Sequence, residues 1–116
     1  MNRLWRAWLL PANKGSGGRL LGAVSASELR EWLSAGDTLL VDIREMEEHE
    51  RHCIPGAVSL PLSRYPSRLS TGEETRRVVF HCQSGRRTRI AAQRLAASTA
   101  LPAYALADGL SGWDHA

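Results

Sequence analysis

Residues 78–92, reading VVFHCQSGRRTRIAA, hold the side chains with the clearest capacity for chemistry. Val78, Val79 and Phe80 form an apolar, β-branched run that reads as a buried strand. Residues 83–87 read as a tight loop, and residues 88–97 carry the Ala/Leu/Ile spacing of a helix. Cys82 therefore sits at the turn of a strand, loop, helix unit. A loop wrapped around its sulfur aims backbone N–H groups and the positive end of the helix at one spot, as at anion sites, and favours thiolate over thiol. Gln83, Ser84, Gly85, Arg86, Arg87 and Thr88 make up that loop and its exit. Gly85 lets the chain turn without a Cβ clash, and Arg86, Arg87 and Arg89 bring positive charge. Solvated surface charge is the alternative reading of Arg86 and Arg87. His81 precedes the cysteine on the strand and faces the other side of the sheet; it is read as a hydrogen-bonded core residue and not a base.

The elements that must position this unit are legible on either side of it. Ser25 and Glu28 form a capping box that opens a helix through Leu29, Trp32 and Leu33, which Gly36 stops. Ala23 and Val24 read as a very short edge strand. Residues 39–43 are an apolar run interrupted by Asp42, as suits a central parallel strand buried on both faces. Residues 45–52 are polar and read as one or two helical turns. Pro55 and Gly56 turn the chain, residues 57–60 read as a short strand, and residues 61–69 as a loop with a brief helix. Residues 76–82 are the strand that carries Cys82, and residues 103–106 are the last strand. Strands alternating with helices predict an α/β fold, an open parallel sheet of about five short strands with helices on both faces. Ligands bind such sheets at the carboxyl ends of strands, where Asp42 and Cys82 both lie. Asp42 is expected to accept N–H bonds or to pair with an arginine, since an unpaired buried carboxylate is costly. Arg44 is expected to pair with Glu47 or Glu48 at the strand's exit. Asp42 and Arg44 together are supporting residues of the site.

Strand-Cys82-Gln83-Ser84-Gly85-Arg86-Arg87-Thr88-helix resembles the active-site loop of the rhodanese sulfurtransferases. Residues 40–44 (LVDIR), Glu47 and Glu48, residues 54–62 (IPGAVSLPL) and residues 108–113 (DGLSGW) resemble the family's other signatures in the right order, over roughly residues 24–113. The resemblance implies a rhodanese-like fold and a cysteine that carries sulfur as a persulfide. Cys82 attacks the outer sulfur of an anionic donor such as thiosulfate, and a nucleophilic acceptor, cyanide or a thiol, then removes it. The loop N–H groups hold the persulfide, one or two arginines attract the donor, and no cofactor or metal takes part. Two departures stand out. Asp108 replaces the first glycine of the closing Gly-Gly-x-x-x-Trp, where Trp113 reads as a core anchor. Cys53 replaces a histidine before Ile-Pro-Gly-Ala, and as a second thiol it resolves the persulfide, forms a disulfide with Cys82, or is a small, half-buried side chain.

Size and composition bound the rest. A chain of 116 residues, 43% hydrophobic and 23% charged, is one ordinary globular domain. The net charge of +3 is uneven: Arg3, Arg6, Lys14 and Arg19 stand among the first 27 residues with no acid, so the remainder sums to −1. That leaves no clustered basic face for nucleic acid. Two cysteines spaced 29 apart match neither a zinc pattern nor a disulfide framework; with His49, His52 and His115 scattered, no metal site is expected. The default setting is reducing and cytoplasmic. Residues 1–22 read as a basic, tryptophan-containing extension with a Gly-rich joint at residues 14–18, and residues 23–116 as the domain. In the extension, Leu4, Trp5, Trp8 and Leu9 at helical spacing suit packing on the body or a partner, a membrane-surface contact through residues 3–10, or a targeting peptide.

Three rival functions are compatible with parts of this pattern. His-Cys-x-x-Gly begins like a tyrosine-phosphatase signature, His-Cys-x-x-Gly-x-x-Arg, so a cysteine phosphatase or arsenate reductase is one. Here Thr88 stands where that arginine belongs, and the shorter loop suits sulfur better than a phosphoryl group. A non-catalytic binding module is the second, disfavoured by the presence of Cys82 and its arginines. The third keeps the chemistry but relays persulfide sulfur to a partner protein, with little use of thiosulfate.

Overall fold

A computed structural model describes residues 10–11 and 20–115. Six strands form one sheet: β1 (Leu10–Pro11), β2 (Leu20–Val24), β3 (Thr38–Asp42), β4 (Val58–Ser59), β5 (Arg77–His81) and β6 (Ala103–Leu106). Their spatial order is β1-β2-β6-β5-β3-β4. Five strands run parallel, as the sequence predicts, and β1 adds an antiparallel edge. Among the described residues the helices are α1 (Ala26–Ala35), α2 (Met46–Arg51), α3 (Arg86–Ile90), α4 (Ala92–Ala97) and α5 (Gly109–Asp114), with a 3-10 turn at Leu62–Arg64.

The period-2 alternation of strand side chains divides the core into two layers. On one face Val78 and Phe80 of β5, Val41 of β3 and Ala103 and Ala105 of β6 pack with Ala92, Leu95 and Ala96 of α4 and with Tyr65 and Leu69. On the other, Val79, Leu40, Val24 and Leu106 pack with Leu29 of α1, Ile54 and Leu110. Phe80, Leu29 and Leu95 have no exposed surface, and each such side chain stabilises the fold by about 1.5–3 kcal/mol. Cys82 belongs to the α4 layer, whereas His81 alternates to the other face.

Local signals hold where the chemistry is local. Ser25 and Glu28 exchange the two capping bonds, and Gly36 closes α1 at φ +79. Three differences have tertiary causes. The strand read as Ala23 and Val24 begins at Leu20 and lies inside the sheet, because four of its residues register against β6 and β1 covers its outer edge. The sheet thus takes in Leu20, Leu21 and Gly22, which the sequence assigns to the extension. The helix expected over residues 88–97 starts earlier, at Arg86, and breaks at Ala91 (φ −93, ψ 12) into α3 and α4. The helical spacing in residues 4–9, the contacts suggested for residues 3–10 and the joint at residues 14–18 lie outside the described residues.

Candidate active site

β5 is a central strand, paired with β3 and β6, and delivers Cys82 to the carboxyl end of the sheet beside the end of β3. The side chain is almost wholly covered, with 1% of the residue exposed. The Gly85 N–H donates to Cys82 Sγ at 3.1 Å. Thr88 Oγ1 lies 3.9 Å from the sulfur, but its one proton is given to the Gly85 carbonyl at 2.9 Å. Across the longer contact only a protonated sulfur could donate, and a thiolate keeps the Gly85 N–H bond alone. The loop proper is only residues 82–85. Gln83 and Ser84 are exposed, and Arg86 and Arg87 already belong to the first turn of α3. A five-residue helix has little macrodipole to offer, so the N–H of Gly85 supplies the polarity expected from a longer one.

Two glycines set the shape of this loop. Gly85 has φ +98, and a Cβ there would run into the Ala107 carbonyl oxygen. Gly109 has φ +59, and a Cβ would lie 2.6 Å from the carbonyl oxygens of both Cys82 and Gln83. That closeness lets the Leu110 and Ser111 N–H groups bond to those same oxygens at 2.9 and 3.0 Å. The loop's carbonyls are thereby turned toward α5 while its Gly85 amide faces the sulfur. Asp108, the departure from the glycine pair, has φ −104, a conformation open to any residue; the close approach falls wholly on Gly109.

Beneath the loop lies a buried polar cluster. Asp42 has no exposed surface and Arg44 only 2%. The Asp42 carboxylate accepts from the Arg44 backbone N–H, Nε and NH2 at 2.9, 3.0 and 2.8 Å, and from His49 Nδ1 at 2.9 Å. Burial works against this carboxylate, but the Arg44 side chain, assisted by smaller contributions, holds its pKa below the ordinary value. Arg44 also donates to the His52 carbonyl at 2.6 Å and to Gln83 Oε1 at 3.2 Å. Gln83 Nε2 in turn donates to Ser111 Oγ at 3.1 Å. A chain of hydrogen bonds thus runs from the end of β3 through the loop to α5. The pairing expected between Arg44 and Glu47 or Glu48 does not form. Arg44 turns inward, because Asp42 would otherwise be an unpaired buried charge.

Glu48 instead takes Arg87, with NH1 to Oε1 at 2.8 Å and NH2 to Oε2 at 2.9 Å. The Arg87 bonds, opposed by burial, lower the Glu48 pKa from 4.5 to about 2. A depressed carboxylate contributes stability that is complete above its unfolded pKa and is lost as pH falls through the folded one. The stability difference between the wild type and Glu48→Gln is accordingly expected to vanish between about pH 4.5 and 2. It should not exceed about 1 kcal/mol, because both side chains are about a third exposed and screened by solvent. Urea midpoints measured across that window check it; a difference that persists below pH 2 would refute the assignment.

His81 is buried completely. A carbonyl oxygen only accepts, so its Nδ1 carries the proton it shares with Cys82 O at 3.1 Å. Nε2 then holds a lone pair with no hydrogen-bond partner among the described residues, 3.8 Å from Asp42 Oδ2. Burial pushes its pKa down, outweighing the attraction of Asp42. A neutral histidine on the opposite face fits the core residue read from the sequence. Cys53 is a half-buried free thiol, and Trp113 packs partly buried against the α1 layer beneath Arg30. The structure gathers Thr88, Gln83 and Arg44, which the sequence singled out, around the loop. The contact of Ser111 was not legible because it lies 28 residues from Gln83. Those of His49 and the His52 carbonyl, seven and eight residues from Asp42 and Arg44, were not because they depend on α2 folding back over the end of β3. Among the described residues no group of acids, histidines and cysteines is arranged to hold a metal.

Similarity to known proteins agrees with this geometry. The family model described as "Rhodanese-like domain" matches residues 25–116. The Bacillus subtilis protein YrkF is 32% identical over 73 residues, which is 62% of this chain and 40% of YrkF. The human thiosulfate:glutathione sulfurtransferase is 35% identical over 78 residues, covering 55% of this chain and 68% of that protein. The solved structure of the human single-domain sulfurtransferase TSTD1 superposes with a TM-score of 0.60 at 26% identity, over 80% of this chain and 95% of that one. The chain spans less than two thirds of the length of the first several curated relatives it matches.

Proposed function

The chain belongs to the rhodanese-like domain family, and from that membership we propose that it is a sulfurtransferase carrying a sulfane sulfur on Cys82. The observation that carries the reading is the Gly85 N–H 3.1 Å from Cys82 Sγ at the carboxyl end of a central parallel strand. The Cys82 thiolate attacks the outer sulfur of a donor such as thiosulfate. The new S–S bond forms as the bond to the sulfonyl sulfur breaks, and sulfite leaves with the electron pair. An acceptor then attacks the terminal sulfur; cyanide departs as thiocyanate, and the electron pair of the broken bond returns to Cys82. The reaction is ping-pong, and it needs no general base because it begins from a thiolate.

Each neighbour of the sulfur has a place in this scheme. The Gly85 amide stabilises negative charge on Sγ and then on the persulfide, while Thr88 fixes the Gly85 peptide through its carbonyl. The Arg44 and Gln83 contacts position the loop, and Arg86, exposed at the start of α3, attracts an anionic donor or an acidic partner, with Arg87 beside it paired to Glu48. A loop of four residues supports sulfur over a tetrahedral phosphoryl group, which needs a larger ring of donors. Relay of the sulfur to a protein acceptor uses the same chemistry. We place the reaction in the cytoplasm, where thiols stay reduced; no described helix is long and apolar enough to cross a membrane.

Intact-protein mass after incubation with thiosulfate tests the reading. Wild type and Cys53→Ala are expected to gain one sulfur atom that cyanide removes, and Cys82→Ala none. A gain retained in Cys82→Ala would reject Cys82 as the carrier. Turnover of an aryl phosphate with no sulfur gained from thiosulfate or a persulfide donor protein would reject sulfur transfer itself.

A further inference from the structure

We propose that Glu48 is a specificity-determining residue that restrains Arg87 and biases the site toward singly charged sulfane-sulfur donors over the thiosulfate dianion. This rests on the reading of Cys82 as a sulfur carrier and adds the charge class of its donor.

The sequence places three arginines, Arg86, Arg87 and Arg89, beside the loop and a fourth, Arg44, at the end of β3. Arg44 and Arg87 are each held by a carboxylate. Arg44 is held by both oxygens of Asp42 and has its remaining donors on the His52 carbonyl and Gln83. Arg87 is held by Glu48 through two parallel hydrogen bonds, the geometry in which a guanidinium and a carboxylate match most closely. Arg87 nonetheless stands on the first turn of α3, which directly follows the Gly85 whose N–H holds the sulfur, and is half-buried there. It is therefore the guanidinium placed to meet a donor at the loop, and it arrives already neutralised. Arg86 is exposed on the first turn of α3 and faces bulk water, where screening weakens its pull. A dianion entering here gains less than the sequence suggests and also meets the Glu48 carboxylate, which stays ionised over the whole physiological range.

Charge, and not the leaving-group chemistry alone, then decides which donors load the cysteine. Thiosulfate carries two negative charges; an aryl thiosulfonate carries one and reacts by the same step. In both, Cys82 S⁻ attacks the outer sulfur, the bond to the sulfonyl sulfur breaks, and the electron pair leaves on sulfite or on the arylsulfinate. A thiol persulfide likewise yields its outer sulfur and releases a thiolate.

Glu48→Gln isolates the effect. Glutamine keeps an acceptor for the Glu45 N–H that Glu48 receives at 3.1 Å and keeps the N-terminal cap of α2, yet removes the charge. The experiment measures kcat/KM for thiosulfate and for benzenethiosulfonate, with cyanide as acceptor, in the wild type, Glu48→Gln and the exposed control Glu47→Gln. Glu48→Gln is expected to raise the ratio of thiosulfate to benzenethiosulfonate efficiency about three- to tenfold, chiefly through a lower KM for thiosulfate, and Glu47→Gln to leave it within about twofold. An unchanged ratio in Glu48→Gln, or an equal rise in Glu47→Gln, overturns the proposal while the sulfur-carrier reading stands. Failure of the wild type to load sulfur from either donor overturns both.

Discussion

Cys82→Ser is expected to lower sulfur transfer by at least about a thousandfold while the domain stays folded. The hydroxyl is nearly the shape of the thiol and can accept the Gly85 N–H that now reaches Sγ at 3.1 Å. It can also donate toward Thr88 Oγ1, whose own proton is engaged by the Gly85 carbonyl. Burial at this position is almost complete, so a smaller atom leaves a small void, and the cost in stability should be about 1 kcal/mol. Chemistry is another matter: a serine alkoxide is scarcely populated at neutral pH without a base, and the neighbouring His81 lies neutral on the other face with its proton on the Cys82 carbonyl. Thiocyanate production and thermal melting measured on the same preparation separate the two effects. Residual turnover above about a hundredth of wild type would mean that the sulfur travels by a route other than Cys82.

Asp42→Ala is expected to cost about 3–5 kcal/mol of folding stability, because it leaves the Arg44 guanidinium buried without its counter-charge. Arg44 has a side-chain exposure of only 3%, and reaching water would require it to abandon the His52 carbonyl and Gln83 together. For a domain of this size the melting temperature should fall by about 15–30 °C. Arg44→Met added to Asp42→Ala should recover at least about half of the loss, since an apolar side chain removes the unpaired charge that the single variant creates. Urea denaturation of the two variants and of the wild type decides it. If the double variant is no more stable than Asp42→Ala, the damage is a cavity and not a stranded charge. Either outcome bears on the loop, because Arg44 is the buried anchor of Gln83.

Sequence signals were reliable wherever a few neighbouring residues settle the matter. The capping box of Ser25 and Glu28, the glycine stop at Gly36, the apolar run of β5 and the polar turns of α2 all fall where spacing places them. The family was legible for the same reason, since its signatures are short and ordered. Boundaries governed by partners were not. β2 lengthens because β6 lies alongside it, and the helix after the loop starts at Arg86 and breaks at Ala91 because Thr88 binds back to Gly85 while Ala92, Leu95 and Ala96 are drawn into the core.

Charge pairing shows the division most clearly. The order of residues determined by itself that a cysteine would stand at the end of a buried strand, that a glycine would turn the loop after it, and that arginines would be near. Only the tertiary structure decided which arginine answers which acid. Arg44 and Glu48 are four positions apart and read as partners, yet Arg44 turns to Asp42 and Glu48 reaches across 39 residues to Arg87. The physical reason is desolvation. A fully buried carboxylate claims the cation able to enter the interior with it, and Glu48, left at the rim, takes the guanidinium that α3 brings to its side.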